Sequence, residues 1–577
     1  MELVTLKIDN QLVEVEAGTT ILETAKKAGV EIPTLCYLKE INAIGACRIC
    51  VVEVKGAKAL QAACVAPVAQ GMEVRTNTLA VRKARRLTLE LILSNHPFEC
   101  LICIRNQNCE LQNLAEAFGI REVRFAGENP GYDADFSSPS IVREPEKCIL
   151  CRRCVAVCDK VQTVQAVAPQ ERGFNTTVAP AFHRPMAEVA CVFCGQCTLV
   201  CPTAALHEKD ETERVWAALA DPKKHVIVQT APATRVSLGE DFGMEPGSIV
   251  TGQMVTALRM LGFDKVFDTD FTADLTIMEE GNELLHRVKT GGVLPLITSC
   301  SPGWVKFIEH FYPEFLPHLS TCKSPQQMLG ALVKTYYAEK MGIDPADIFV
   351  VSYMPCTAKK YEAQRPEMQS SGYPDVDVVL TTREVGRMMR QAGINFNALP
   401  SQDYDEPLGI STGAGVIFGA TGGVMEAALR TAYELVTQQE LQAVEFEDVR
   451  GLQGVKEAAV ELAGLTVKVA VAHGLGNARK LMEAIKNAKA DYHFIEIMCC
   501  PGGCIGGGGQ PIPTNMEIRD KRINAIYAAD ELMVMRKSHL NPAVQKLYEE
   551  FLGEPLGHKS HELLHTHYHA RSKYHPA

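Results

Sequence analysis

Two short runs decide how this chain is read: Cys148-Ile-Leu-Cys151-Arg-Arg-Cys154-Val-Ala-Val-Cys158 and Cys191-Val-Phe-Cys194-Gly-Gln-Cys197-Thr-Leu-Val-Cys201-Pro202. Both have the spacing Cys-x2-Cys-x2-Cys-x3-Cys, and a repeat this regular does not arise by chance. The thiols belong to a set of 21 cysteines in 577 residues, clustered rather than scattered. A disulfide scaffold suits small secreted domains, whereas clustered Cys-x2-Cys spacing in a long chain points to metal. Soft thiolate ligands select iron–sulfur clusters or zinc.

The paired runs have the bacterial two-cluster ferredoxin pattern, in which the fourth cysteine of each run serves the other cluster. Cys148, Cys151 and Cys154 are therefore paired with Cys201, and Cys191, Cys194 and Cys197 with Cys158. The segment 137–220 reads as a domain for two 4Fe–4S clusters.

Two more thiol sites lie upstream. Residues 1–78 alternate as short strands (4–8, 13–15, 51–54) around a helix at 20–28, a small α+β unit. Its cysteines follow Cys36-x10-Cys47-x2-Cys50-x13-Cys64, and with the β-rich setting this resembles a plant-type 2Fe–2S ferredoxin. Residues 79–127 read as helices at 78–93 and 108–118, with His96-x3-Cys100-x2-Cys103-x5-Cys109 between them. One imidazole and three thiolates suit tetrahedral zinc when taken alone. Four such sites in a row make sense as an electron wire, which needs a user of electrons at one end.

From residue 221 to 577 the texture becomes α/β. Apolar runs at 226–229, 294–298, 348–352, 376–381 and 467–472 alternate with amphipathic stretches at 252–261, 325–340 and 384–393, predicting a largely parallel sheet. Three cysteine motifs follow strands, where α/β folds place sites. They are Thr298-Ser-Cys300-Ser-Pro-Gly-Trp304, Met354-Pro-Cys356-Thr-Ala-Lys359-Lys-Tyr-Glu362 and Glu496-Ile-Met498-Cys499-Cys500-Pro-Gly-Gly503-Cys504-Ile-Gly-Gly507. The run Gly506–Gly509 allows close backbone approach to such a site.

These motifs resemble the signatures of the catalytic iron-only (FeFe) hydrogenases, TSCCPxW, MPCxxKxxE and ExMxCxxGCxxG. The second and third match in full, and the resemblance spans essentially the whole chain. It implies an H-cluster: a 4Fe–4S cube joined through one cysteine to a diiron unit carrying CO, cyanide and a dithiolate. By position, Cys356, Cys500 and Cys504 are cube ligands, with Cys504 as the bridge. Pro232, Gln326 and Lys359 match residues lining the diiron unit's inorganic ligands, and Met354 and Met498 match residues beside its distal iron. The segment Ala231-Pro232-Ala233 lacks one hydroxyl contact to cyanide that the family has. The resemblance also moves the His96 site from zinc to 4Fe–4S, for three accessory 4Fe–4S clusters and one 2Fe–2S cluster. It makes Glu280, Glu283, Ser320 and Arg287 a proton relay. Without it, Glu279-Glu280-Gly-Asn-Glu283 reads as a solvated helix face.

The first motif departs from the family. Counted back from Trp304, Cys300 falls on the proton-donating thiol and Ser301 on a cube ligand. Cubes prefer thiolate, and a serine hydroxyl is far harder to deprotonate. That favours Cys300 as the ligand, with Ser301 or a water in the relay. Cys499 is a weaker substitute, and Cys322 reads as a buried apolar residue.

Other apparent motifs are discounted. His561-Glu-Leu-Leu-His565 matches the zinc-protease pattern HExxH. It lies beyond the supporting sheet, and multisubunit NAD-linked hydrogenases have a similar HELLHTHY segment. A metal site in this tail, near His558, His565, His567 and His569, stays open. Gly474-Leu-Gly476 and Gly413-Ala-Gly415 fall short of a dinucleotide fingerprint.

The charge balance, 58 Lys plus Arg against 69 Asp plus Glu, argues against nucleic acid as the main partner. No long apolar run predicts a membrane span, and the first residues lack the pattern of a secretory signal, so a cytoplasmic location is expected. The reading is a hydrogenase catalysing 2H⁺ + 2e⁻ ⇌ H₂. The tail and the TSCSPGW variant resemble subunits of electron-bifurcating, NAD-linked complexes, implying flavin/NAD-binding and iron–sulfur partner subunits and ferredoxin. Three alternatives remain: a stand-alone ferredoxin hydrogenase, an electron-transfer subunit like that of NADH dehydrogenases, and a non-catalytic redox sensor.

Overall fold

The computed structural model describes residues 2–129, 131–462 and 464–573. Strands Leu3–Ile8 and Gln11–Glu16 form a hairpin, joined by Glu73–Arg75, Val51–Val54 and Gln61–Ala62 into a five-stranded sheet. Helix Ile21–Lys27 packs on it through Ile21 and Ala25, and starts where the Thr20 hydroxyl accepts the Glu23 N–H. Thr78 caps helix Leu79–Leu93 in the same way. The buried Arg85 guanidinium of that helix donates twice to the Val51 carbonyl, fixing the helix to the sheet. The cysteine-rich segment that follows contains the short helices Arg153–Ala156 and Gln196–Val200, and is closed by the antiparallel pair Ile141–Arg143 and Leu206–Glu208.

Beyond residue 221 the expectation of one largely parallel sheet is corrected to two four-stranded sheets. The first runs Lys265–Asp268, His225–Thr230, Ile348–Met354, Val378–Thr381, all parallel. The second runs Leu296–Ile297, Phe494–Met498, Leu465–His473, Val455–Leu462, antiparallel only at its last pair. Hydrophobic periodicity identifies strands but not their partners, so the division was invisible in the sequence. The stretch expected as helix 325–340 is helical over Pro325–Leu332, widens by a π turn at Val333–Tyr337 and resumes at Ala338–Met341.

Each Cys, Met or Pro motif hangs from the carboxyl end of a strand. Pro232 follows His225–Thr230, Cys300 follows Leu296–Ile297, Cys356 follows Ile348–Met354 and Cys500 follows Phe494–Met498. The two sheets thus deliver four loops to one place. Helix Thr269–Thr290 runs beside them, with Glu279, Glu280 and Glu283 all buried. C-terminal helices Met516–Glu531, Pro542–Leu547 and His558–Leu564 wrap around this core, and Arg522 pairs with Glu240 at 2.7 Å while donating to the Ile505 carbonyl. Among the described residues no helix is long and apolar enough to cross a membrane.

The glycine run packs loops together. A Cβ on Gly507 would lie 2.1 Å from the Pro355 carbonyl oxygen, and one on Gly508 would lie 2.3 Å from the Cys194 carbonyl oxygen. Gly508 is therefore where the two-run cysteine segment meets the α/β region. Gly508→Ala is expected to lower stability by about 1–3 kcal/mol through overpacking. Gly281→Ala, within a helix and with open space at its Cβ, is expected to leave stability unchanged or raise it by up to about 1 kcal/mol. Thermal melting of the two variants compares them, and equal melting temperatures would contradict the close-approach account.

Candidate active site and electron path

A cavity lies where the four loops meet. Its lining includes Pro232, Cys300, Ser301, Gln326, Met354, Cys356, Lys359, Met498, Cys499, Cys500 and Cys504. The three cysteine motifs are thus brought together. Cys356 is pushed up by burial and then by the charges of Cys500 and Cys504, and Cys504 by burial and then by Cys500, reaching about 12. Cys300 is raised well above the usual thiol range, by burial first and then by the Glu280 carboxylate. Buried thiols in an apolar cavity, with no disulfide among them, are a donor set suited to a soft metal cluster whose charge stabilises thiolate.

Lys359 reaches into this site under restraint. Its Nζ lies 2.8 Å from the Glu362 carboxylate and donates to the Cys300 carbonyl at 3.1 Å. Glu362 also accepts from the Ser324 hydroxyl at 2.8 Å and from Gln326 Nε2 at 3.1 Å, while Ser352 donates to Gln326 Oε1 at 2.9 Å. Sequence reasoning quoted Glu362 only as part of a motif. Its positioning role, and those of Ser324 and Ser352, carry no local sequence signal.

The solvated-face reading of Glu279–Glu283 is overturned, because the helix is covered by the C-terminal segment. Glu279 accepts the Tyr548 hydroxyl at 2.5 Å and the Leu556 N–H at 2.9 Å, and lies 3.2 Å from His565 Nε2. His565 also contacts the Thr321 hydroxyl at 2.8 Å, so both its ring nitrogens are engaged in holding the tail. His567 and His569 lie apart from it, beside Glu367.

Glu280 and Glu283, one helical turn apart, face Ser320. Burial pushes Glu280 up to about 8, with the Ser320 hydroxyl pulling the other way. Ser320 donates to Glu283 Oε2 at 2.9 Å, and Arg287 donates to Glu283 Oε1 at 2.7 Å. Glu280, Ser320, Glu283 and Arg287 therefore form a polar line, and the Glu280 carboxylate at its inner end acts on the Cys300 thiol. Cys322 is buried as expected, with its sulfur 3.9 Å from Glu283.

The upstream thiols also converge. The Cys36 thiol lies within hydrogen-bond reach of Cys47 and Cys64, and Cys64 within reach of Cys50, so the four sulfurs form one cluster. His96, Cys100, Cys103 and Cys109 line one small cavity. Burial lowers His96 to about 4, keeping the ring neutral, and its buried Nδ1 has no hydrogen-bond partner, as suits a ligand. Cys148, Cys151, Cys154 and Cys201 line another cavity. Cys158, Cys191, Cys194 and Cys197 are neighbours: the first, second and fourth are raised by burial first, and each of these three also feels the Cys194 charge.

Comparison with known proteins agrees with this inventory. The iron-only hydrogenase large subunit, C-terminal domain, matches residues 224–508, and the iron hydrogenase small subunit matches 516–571. A 2Fe–2S iron–sulfur cluster binding domain matches 1–79, the NADH-ubiquinone oxidoreductase-G iron–sulfur binding region 85–124, and a 4Fe–4S dicluster domain 147–205. The chain is 53% identical over 586 residues to the NADP-reducing hydrogenase subunit HndD of Solidesulfovibrio fructosivorans, covering 99% of this chain and 100% of that one. It is 43% identical over 571 residues to iron hydrogenase 1 of Clostridium pasteurianum, covering 98% and 99%. A solved [FeFe]-hydrogenase from Chlamydomonas reinhardtii matches with a TM-score of 0.57 at 46% identity, covering 63% of this chain and 100% of that one. Cavity, thiol sites and near full-length likeness agree: this chain belongs to the iron-only (FeFe) hydrogenases, oxidoreductases acting on hydrogen, and carries 2Fe–2S, 4Fe–4S and H-cluster domains.

Proposed function

We propose that this chain is the hydrogen-converting subunit of a cytoplasmic, multisubunit, NAD(P)- and ferredoxin-linked hydrogenase of the electron-bifurcating kind. The observation that carries the reading is its near full-length likeness to a relative whose name describes an NADP-reducing hydrogenase subunit. No complete flavin or nicotinamide fingerprint was found in the sequence, so flavin- and NAD(P)-binding partners supply that chemistry. The stand-alone reading is supported by the likeness to iron hydrogenase 1 of Clostridium pasteurianum. A pure electron-transfer role is disfavoured by the buried cavity lined by three cysteine motifs, and a sensor role by the unbroken line from Glu280 to Arg287.

The H-cluster, when bound, supplies the redox chemistry of 2H⁺ + 2e⁻ ⇌ H₂. Cys356, Cys500 and Cys504 line the cavity and would hold its cube, Cys504 being the thiol that the family resemblance assigns to both parts of the cluster. Lys359, fixed by Glu362 and lying beside Pro232 and Gln326, would offer its ammonium to the diiron unit's inorganic ligands. Met354 and Met498 close the cavity with soft, apolar side chains that exclude water. Protons pass between Cys300 and the Arg287 end through Glu280, Ser320 and Glu283. The four upstream thiol sets, the first within 1–78, the second within 79–127 and the last two within 137–220, would hold one 2Fe–2S and three 4Fe–4S clusters, which would supply the electron path.

Glu280→Gln or Glu283→Gln is expected to cut turnover by orders of magnitude with iron content unchanged, since Gln keeps the shape but loses the exchangeable proton. Unchanged turnover in both variants would remove the relay. The matured chain alone is expected to evolve hydrogen from a strong one-electron donor and not from NADH. NADH-driven hydrogen evolution by the isolated chain would refute the multisubunit reading.

A further inference from the structure

We propose that Cys499 supplies the fourth thiolate of the cube, in place of both Ser301 and Cys300. The proposal rests on the reading of the cavity as an H-cluster site. Relative to the family pattern, this chain has lost a thiol at 301 and gained one at 499, a position the pattern leaves open. The loss and the gain touch in space: the Cys499 N–H donates to the Ser301 hydroxyl oxygen at 3.2 Å. The thiol has therefore moved across a contact between two loops, from the strand end at Ile297 to the strand end at Met498.

The surroundings of each candidate sort them. Cys499 lines the same cavity as Cys356, Cys500 and Cys504, and its thiol lies within hydrogen-bond reach of the Cys500 thiol. Room for its sulfur depends on Gly303, where a Cβ would stand only 2.6 Å from Cys499 Sγ. Ser301 is a poor ligand by its chemistry, and its oxygen is already engaged by the Cys499 N–H. Cys300 lines the cavity on its Lys359 side, where the Lys359 ammonium donates to the Cys300 carbonyl at 3.1 Å, and the Glu280 carboxylate is the charge that acts most on its thiol. It thus stands at the start of the proton line, and the sequence-based assignment of Cys300 to the cube gives way.

Cys499 also reaches the Cys194 thiol. It does not complete that cluster, because Cys158, Cys191, Cys194 and Cys197 already provide four thiols. Gln162 ties the two together, donating to the Cys499 carbonyl at 3.1 Å and lying 3.6 Å from Cys194 Sγ. A ligand at 499 therefore places a cube sulfur against a ligand of the adjacent accessory cluster, giving electrons a short non-bonded step between them.

The test uses the full chain prepared without diiron insertion, assayed for iron and sulfide per chain and by Mössbauer and EPR spectroscopy of the cube. Cys499→Ala is expected to lose about four irons and the cube signal, as Cys356→Ala does, with accessory-cluster signals kept. Cys300→Ala and Ser301→Ala are expected to keep the full complement. Ser301→Cys combined with Cys499→Ala is expected to restore the cube by moving the thiol back. A full cube in Cys499→Ala, or a lost cube in Cys300→Ala or Ser301→Ala, would overturn the assignment while leaving the hydrogenase reading intact. Retention of the full complement by Cys356→Ala would instead overturn the cube site itself.

Discussion

The molecule is organised around thiols that cannot ionise unaided. Cys300, Cys356 and Cys504 sit in an apolar cavity where burial first, and neighbouring negative charge after it, drive their titration upward. Desolvation penalises thiolate, and only a cation in contact with the sulfurs reverses the balance. The fixed ammonium in the lining, Lys359, is neutralised by Glu362 and so does not do it. The cavity is thus built for a cluster that brings its own positive charge. No single strand end could present this many buried sulfurs, and here strand ends of two sheets contribute loops to one cavity.

The same demand for dryness shapes the connection to the rest of the chain. A wire must approach the site without opening it to water. The ferredoxin-like segment does so by backbone contact, at Gly508 against Cys194, and by direct hydrogen bonds. Gln196 donates to the Gly506 carbonyl at 2.9 Å, Thr357 to the Phe193 carbonyl at 2.7 Å, and Lys306 to the Cys191 carbonyl at 2.7 Å. The C-terminal helices cover the site from the side of the Glu279 helix. Tyr548, Leu556 and His565 satisfy Glu279, which leaves Glu280 and Glu283 buried on a sealed helix yet directed along one polar line.

Metal ligands were the most legible part of the sequence, because several come from one short segment and their spacing is set by local backbone geometry. The convergence of Cys148, Cys151 and Cys154 with Cys201 follows from such spacing. Strands were legible from apolar runs, but their division into two sheets was not, since sheet membership depends on partners far away in sequence. The burial of Glu279, Glu280 and Glu283 was hidden for the same reason: a run of carboxylates reads as solvated until a distant tail covers it. Cys499 was legible as an extra thiol but not as a neighbour of Ser301, because the contact joins loops almost two hundred residues apart.

The central claim is that a hydrogen-converting site is electrically joined to the upstream clusters. The most direct measurement exposes the oxidised, matured chain to hydrogen alone, without partner subunits or mediator, and follows the clusters by EPR. The expected result is the appearance of reduced 2Fe–2S and 4Fe–4S signals under hydrogen and not under argon. Clusters that stay oxidised under hydrogen, in protein that carries its full iron complement, would contradict it.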